Sequence, residues 1–155
     1  MLTNYKPYTY AKIVTIFVLE KNNYMFSKAC EYGIKAAIFI ATKSKENERV
    51  GLKYIAKEID SPEAFTAKIL QKLSKEKIVS SIKGPHGGFE INDKKAKKIN
   101  LIDIVYAIDG NDIYQGCALG FSSCTDNKPC AIHFKFKEIR KNLKEMLENT
   151  SLFDL

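Results

Sequence analysis

The feature that most constrains this chain is the stretch Leu52–Ile91. There, two short helical patterns meet at a hard restart and run into a glycine-rich turn. Leu52, Ile55, Ala56 and Ile59 fall on one helical face. Asp60-Ser61-Pro62-Glu63 then reads as a helix start. Ser61 is the expected N-cap, Pro62 takes the first helical position, and an acid sits in the first turn. The helix that follows reaches about Lys75, with Phe65, Ile69, Leu70 and Leu73 on its inner face. Two short helices joined by a tight turn read as a helix-turn-helix. Ile78, Val79, Ile82, Phe89 and Ile91 next mark two short strands, turned by Gly84-Pro85-His86-Gly87-Gly88. A hairpin directly after a helix-turn-helix is a winged helix. The plainer alternative is an ordinary hairpin beside an ordinary helical pair. Lys83 and the glycines at the tip would let the backbone approach a phosphate chain closely.

The flanking segments read as mostly helical. Ser27–Thr42 has apolar residues at helical spacing, and Lys43–Arg49 reads as a charged loop. The basic run Lys94–Lys98 reads as a solvated loop. Asn100 caps a helix with Leu101, Ile104, Val105 and Ile108 on one side, stopped at Asp109-Gly110. A last helix starts near Ala131. Its Ile132, Phe136, Ile139, Leu143 and Met146 form an a/d seam, which fits a partner subunit better than the chain's own core. The expected fold is therefore mostly α. It comprises a winged helix-turn-helix over 25–98 with a two-stranded wing, and dimerisation helices over 99–155 that carry a cysteine-rich loop at 116–133.

Length and charge narrow the function. At 155 residues the chain suits one domain. It carries 25 Lys+Arg against 18 Asp+Glu, a net +7, which favours a polyanionic partner. Only Arg49 and Arg140 are arginines, so the excess rests on lysine, suited to phosphate contacts more than to bidentate base reading. The apolar run Ala11–Leu19 is too short for a membrane helix and lacks a cleavage site, so no membrane is expected. Residues 1–24 read as an extension with no assigned function.

The cysteines are the sharpest chemical clue. Cys117, Cys124 and Cys130 crowd one Gly/Pro-bounded loop, with spacing C-x6-C-x5-C-x2-H ending at His133. Three thiols cannot close on one another as disulfides, and the lysine-rich chain points to a reducing cytoplasm. A thiol cluster there usually serves metal or redox chemistry. Thiolate-rich sets favour zinc or iron–sulfur clusters. Both cysteine gaps exceed a tight zinc knuckle and suit a larger cluster, although a Cys3His zinc site has a similar layout. Cys30, alone on the first helix, reads as a small buried hydrophobe. With His86 and His133 the only histidines, no Cys-His or Ser-His-Asp catalytic arrangement can be argued, and the chain is not expected to be an enzyme.

These pieces together resemble one family. SKACEYGIKA in the first helix, FTAKILQKL in the third, VSSIKGPHGGF in the wing, LIDIVYAIDG after it and the three-cysteine loop are similar to the bacterial winged-helix iron–sulfur regulators that include IscR and NsrR, the Rrf family. The resemblance spans Met25–Leu155. It implies a homodimer that binds palindromic double-stranded promoter DNA and acts on transcription, here read as a repressor. The signal would be iron–sulfur status, nitric oxide or redox state, sensed through a 2Fe–2S or 4Fe–4S cluster. Cys117, Cys124 and Cys130 would be cluster ligands. The fourth would be His133, as in IscR-like members, or alternatively Glu31, at the position of the partner-donated acid of NsrR-like members. For DNA, the resemblance implies Ala64, Phe65, Ala67 and Lys68 at the start of the recognition helix, and Lys83, Gly84 and Pro85 at the wing. Ala67 replaces an acidic reader and Lys83 the commoner arginine. The competing reading is a zinc-stabilised nucleic-acid-binding adaptor without a sensing cluster.

Overall fold

Ser27 begins the first helix by accepting the Cys30 N–H through its hydroxyl at 3.1 Å, the usual way to satisfy an orphan donor in a first turn. The computed structural model describes residues 26–111 and 114–155; the extension 1–24 lies outside the described residues. In chain order they form α1 (Lys28–Lys45), α2 (Leu52–Glu58), α3 (Glu63–Lys75), β1 (Ser80–Ile82), β2 (Gly88–Glu90), α4 (Asp93–Ala96), α5 (Leu101–Asp109) and α6 (His133–Glu148). This is the expected mostly helical winged helix-turn-helix. Among the described residues, no helix is long and apolar enough to cross a membrane.

α1 runs past Thr42 to Lys45, so the charged loop is shorter than its composition suggests. Lys43 pairs with Glu46 and Glu48 at 2.8 and 3.3 Å, and basic residues in the last turn suit the negative end of the helix. The buried face of α1 is made largely of small residues, among them Gly33, Ala36, Ala37 and Ala41. A Cβ at Gly33 would overlap the end of the Ile108 side chain, so α5 packs directly over this glycine.

The α2–α3 corner differs from expectation in its cap. Pro62, not Ser61, is the N-cap, and its carbonyl accepts the Phe65 and Thr66 N–H groups at 3.0 and 2.9 Å. The Ser61 N–H instead closes α2 on the Ala56 carbonyl at 2.9 Å, after Asp60 adopts φ 51°. Thr66 rather than Phe65 completes the inner face of α3 with Ile69, Leu70 and Leu73. Thr66 tolerates burial because its hydroxyl donates to the Pro62 carbonyl at 3.1 Å. Phe65 remains exposed, edge-on to Tyr32 at 5.9 Å.

The wing is an antiparallel pair with Ser80 opposite Glu90, Ser81 opposite Phe89 and Ile82 opposite Gly88. Val50 pairs with the other side of Phe89 through bonds of 3.1 and 2.9 Å, which ties the wing to the α1–α2 connection. The tip is closed by Gly87 N–H on the Gly84 carbonyl at 2.9 Å.

The basic run is not a solvated loop. Asn92 caps α4 by accepting the Lys95 N–H at 3.2 Å, and Ala96 and Ile99 are buried while the lysine heads stay outside. One core joins Ile40, Ile55, Leu70, Leu73, Ile91 and Ile104, each contributing roughly 1.5–3 kcal/mol on burial. Leu152, from beyond α6, enters the same core.

α6 starts at His133, two residues after the expected Ala131. Its buried residue is Leu147, one position off the seam. Along the seam, Ile132, Ile139 and Met146 are exposed and Phe136 and Leu143 half-buried, so within one chain the stripe stays largely uncovered.

Candidate metal centre and nucleic-acid interface

The cysteine loop is a succession of tight turns. Gly120 N–H bonds the Cys117 carbonyl at 2.9 Å, Cys124 N–H the Phe121 carbonyl at 3.2 Å, and Lys128 N–H the Thr125 carbonyl at 3.1 Å. Gly116 and Gly120 take φ of 79° and 75°, where a side chain would be strained. The His133 N–H then bonds the Cys130 carbonyl at 3.1 Å as α6 begins. Arg140, further along α6, donates to the Gly116 carbonyl and staples the start of the loop to the helix.

This folding brings the three loop thiols together. The Sγ atoms of Cys117, Cys124 and Cys130 all lie within 4.8 Å of one another, with Cys117 and Cys130 3.6 Å apart. His133 joins at one corner, its Nδ1 3.1 Å from Cys124 Sγ. Its Nε2 lies 2.8 Å from Asp126 Oδ1, and Lys137 holds the other carboxylate oxygen at 2.6 Å. Glu31 stands outside the thiol group, with its carboxylate shared by Lys35 at 2.8 Å and Lys28 at 2.9 Å. Those two lysines, Lys35 first, hold it below the usual carboxylate range.

The electrostatics differ from thiol to thiol. Burial pushes the Cys117 thiol up, but backbone N–H groups of Phe121 and Leu119 and the two neighbouring thiols outweigh it and bring Cys117 to about 7. Cys124 gains a backbone bond from Cys130 that lowers it, yet burial and the Cys117 and Cys130 thiols leave it raised. Lys137, then His133, hold Asp126 below its ordinary value. Three thiols converging without an intervening cation repel as they ionise; a thiophilic cation removes that repulsion. The donor set of soft sulfur plus imidazole fits zinc or an iron–sulfur centre. Sequence reasoning missed Asp126, Lys137 and Arg140. The one available signal was the carboxylate placed at a turn inside the cysteine loop.

Cys30 is of another kind. It is fully buried and its thiol is pushed to about 12 by burial, then by the charge and hydrogen bond of Asp109. That is the inert structural cysteine expected of it.

At the helix-turn-helix, Ala64, Phe65 and Lys68 are exposed on α3, whereas Ala67 is half-buried. Lys83, Gly84, Pro85 and His86 are all exposed at the wing tip. An exposed helix start with an exposed basic hairpin tip can offer side chains to a groove and backbone to phosphates.

Comparison with known proteins gives the family. The family profile described as Rrf2, iron-dependent transcriptional regulator, matches residues 26–155. A provisionally assigned HTH-type transcriptional regulator of Aquifex aeolicus is 31% identical over 133 residues, covering 84% of this chain and 90% of that protein. The HTH-type transcriptional regulator IscR of Photorhabdus laumondii is 25% identical over 124 residues, covering 80% of this chain and 74% of its own length. Among solved structures, CymR, the global cysteine regulator of B. subtilis, superposes with a TM-score of 0.66 at 24% identity. It covers 83% of this chain and 93% of that one, and bears on the fold.

Proposed function

This chain belongs to the Rrf2 family of transcriptional regulators, and we propose that it is a dimeric, sequence-specific binder of promoter DNA, a repressor, whose affinity answers to an iron–sulfur cluster on the cysteine loop. As a helix-turn-helix regulator it is not an enzyme. The observation that carries the sensing part is the convergence of Cys117, Cys124 and Cys130 within 4.8 Å, with His133 against Cys124. These four would hold the cluster, with Glu31 of a second copy the alternative fourth ligand. Such a centre supplies a reversible change of charge and ligand set in response to iron–sulfur supply, nitric oxide or oxidant. The chain would work in the cytoplasm, where thiols stay reduced.

In this reading residues 25–98 bind DNA and 99–155 pair two copies through the uncovered α6 seam. Ala64, Phe65, Ala67 and Lys68 meet the major groove, and Lys83, Gly84 and Pro85 meet the backbone or minor groove. Lysines neutralise phosphates and set affinity, while the α3 start supplies what sequence discrimination there is. The loop opens directly into α6, and the far end of α6 is tied to the start of α5. Leu101 N–H bonds the Thr150 carbonyl at 2.9 Å and Leu152 N–H the Ile99 carbonyl at 2.8 Å. A displacement at His133 therefore has a stiff path to the winged helix. It regulates only if the loaded and empty states differ in DNA-competent geometry.

A second reading is favoured by the compactness of the triad. Tetrahedral zinc with bonds near 2.3 Å places its sulfurs about 3.8 Å apart, close to the 3.6 Å between Cys117 and Cys130. A structural zinc would leave a DNA-binding adaptor that does not sense.

The test is DNA affinity at fixed salt for the anaerobically loaded protein and for Cys124→Ser, on a palindromic site selected by the protein itself. A change of tenfold or more in either direction supports sensing. Equal affinities contradict it and leave a regulator with a structural metal.

A further inference from the structure

His133 is gripped from both sides. Nδ1 lies 3.1 Å from Cys124 Sγ and Nε2 lies 2.8 Å from Asp126 Oδ1, while the imidazole is only 10% exposed. A carboxylate only accepts hydrogen bonds, so Nε2 is the nitrogen that donates. In a neutral imidazole one nitrogen alone carries the proton, which leaves the Nδ1 lone pair facing the thiols. Asp126 is itself anchored, by Lys137 at 2.6 Å. His133 and Lys137 stand one turn apart on α6, so a single carboxylate spans both.

The carboxylate is not needed to shape its own turn. Thr125 and Lys128 close that turn between their backbones, at 3.2 and 3.1 Å. Asp126 is 62% exposed and contributes nothing to the core. What its side chain touches is the ring of the would-be ligand and the lysine that steadies it.

We propose that Asp126 is the positioning residue of the fourth ligand: it holds the His133 ring so that Nδ1, rather than Nε2, is presented to a thiophilic metal centre, with Lys137 fixing the carboxylate. The inference rests on the reading of His133 as that ligand. It adds the residue that sets which nitrogen binds and in which tautomer, a role that outer partners of metal-bound histidines commonly fill.

The test uses the full chain, reduced and metal-free, titrated with cobalt(II) and read by its thiolate charge-transfer absorption, with zinc competition for affinity. Asp126→Ala is expected to weaken binding by roughly 10- to 100-fold. Asp126→Asn keeps an acceptor oxygen for Nε2–H and is expected to recover most of that loss, which a role in charge alone would not allow. His133→Ala is expected to weaken binding too, and adding Asp126→Ala to it is expected to cost nothing further. Wild-type affinity in Asp126→Ala, with a weakened His133→Ala, overturns the role of Asp126 and spares the ligand. Wild-type affinity in His133→Ala overturns the ligand and the inference with it. A full Asp126→Ala loss persisting without His133 overturns positioning in favour of a direct effect on the loop.

Discussion

The side-chain amide of Asn100 donates to the carbonyl of Glu148 at 2.6 Å, so the residue that opens α5 is fastened to the last turn of α6. Asn100 N–H is at the same time held by the Asp103 carboxylate at 2.8 Å. Beyond Glu148 the chain folds back and buries Leu152 in the winged-helix core.

This fastening predicts that Leu152→Ala destabilises the protein by about 2–5 kcal/mol, the usual cost of emptying a buried leucine site. Asn100→Ala is expected to cost less, about 1 kcal/mol for a missing cap. Urea unfolding checks both, with the midpoint falling in the order wild type, Asn100→Ala, Leu152→Ala.

At the wing, a Cβ on Gly87 would run into the Ile82 carbonyl oxygen and crowd the Gly84 carbonyl, both backbone atoms with no freedom to yield. Gly87→Ala should therefore open the hairpin tip at a cost of about 1–3 kcal/mol and weaken DNA binding, with metal content unchanged. Gly51→Ala is the control, since a Cβ there meets nothing within 4 Å. Equal DNA affinity for the two variants would remove the wing tip from the interface.

Lys83 is exposed beside that tip. Lys83→Ala is expected to weaken binding to all DNA sequences alike and to lower the salt dependence of log K by about 1, the share of a single neutralised phosphate. Affinity measured across a salt series decides it; an unchanged slope means that Lys83 touches no phosphate.

Cys30 gives a pH prediction. Its ordinary value of 9.0 rises to about 12 in the folded chain through burial and then Asp109. Above pH 9 the unfolded thiol ionises while the folded one does not, so the unfolded state binds fewer protons. The contribution is whole below pH 9 and is lost as pH rises toward 12, by about 1.4 kcal/mol per unit. Wild type should lose stability more steeply than Cys30→Ala in that window. Iodoacetamide on the metal-free native protein should label Cys117, Cys124 and Cys130 and spare Cys30.

Local signals in the sequence were enough for the winged helix. The glycine stop at Gly110, the Asn100 cap and the Ile69, Leu70 and Leu73 face of α3 are read from neighbours a few residues apart, and each is where the pattern puts it. Ser61 misled because its N–H closes the preceding helix, a choice set by the φ of Asp60 rather than by the Ser-Pro-Glu pattern. Phe65 misled because apolar character alone does not separate a core residue from an aromatic shelf beside Tyr32. The Val50–Phe89 pairing, the return of Leu152 and the Arg140–Gly116 staple join residues tens of positions apart, and no periodicity encodes them. At the cysteine loop, the spacing of Cys117, Cys124, Cys130 and His133 was enough to single out the four side chains that the fold brings together. Asp126 stayed hidden because its role depends on a turn geometry that only the folded loop displays.

The central claim is that the cysteine triad holds an iron–sulfur centre. Its most direct test is anaerobic purification of the full-length chain followed by iron, sulfide and zinc analysis with a visible spectrum. The predicted result is iron with matching sulfide and a brown chromophore that disappears in Cys124→Ser. A colourless protein carrying zinc alone would contradict it.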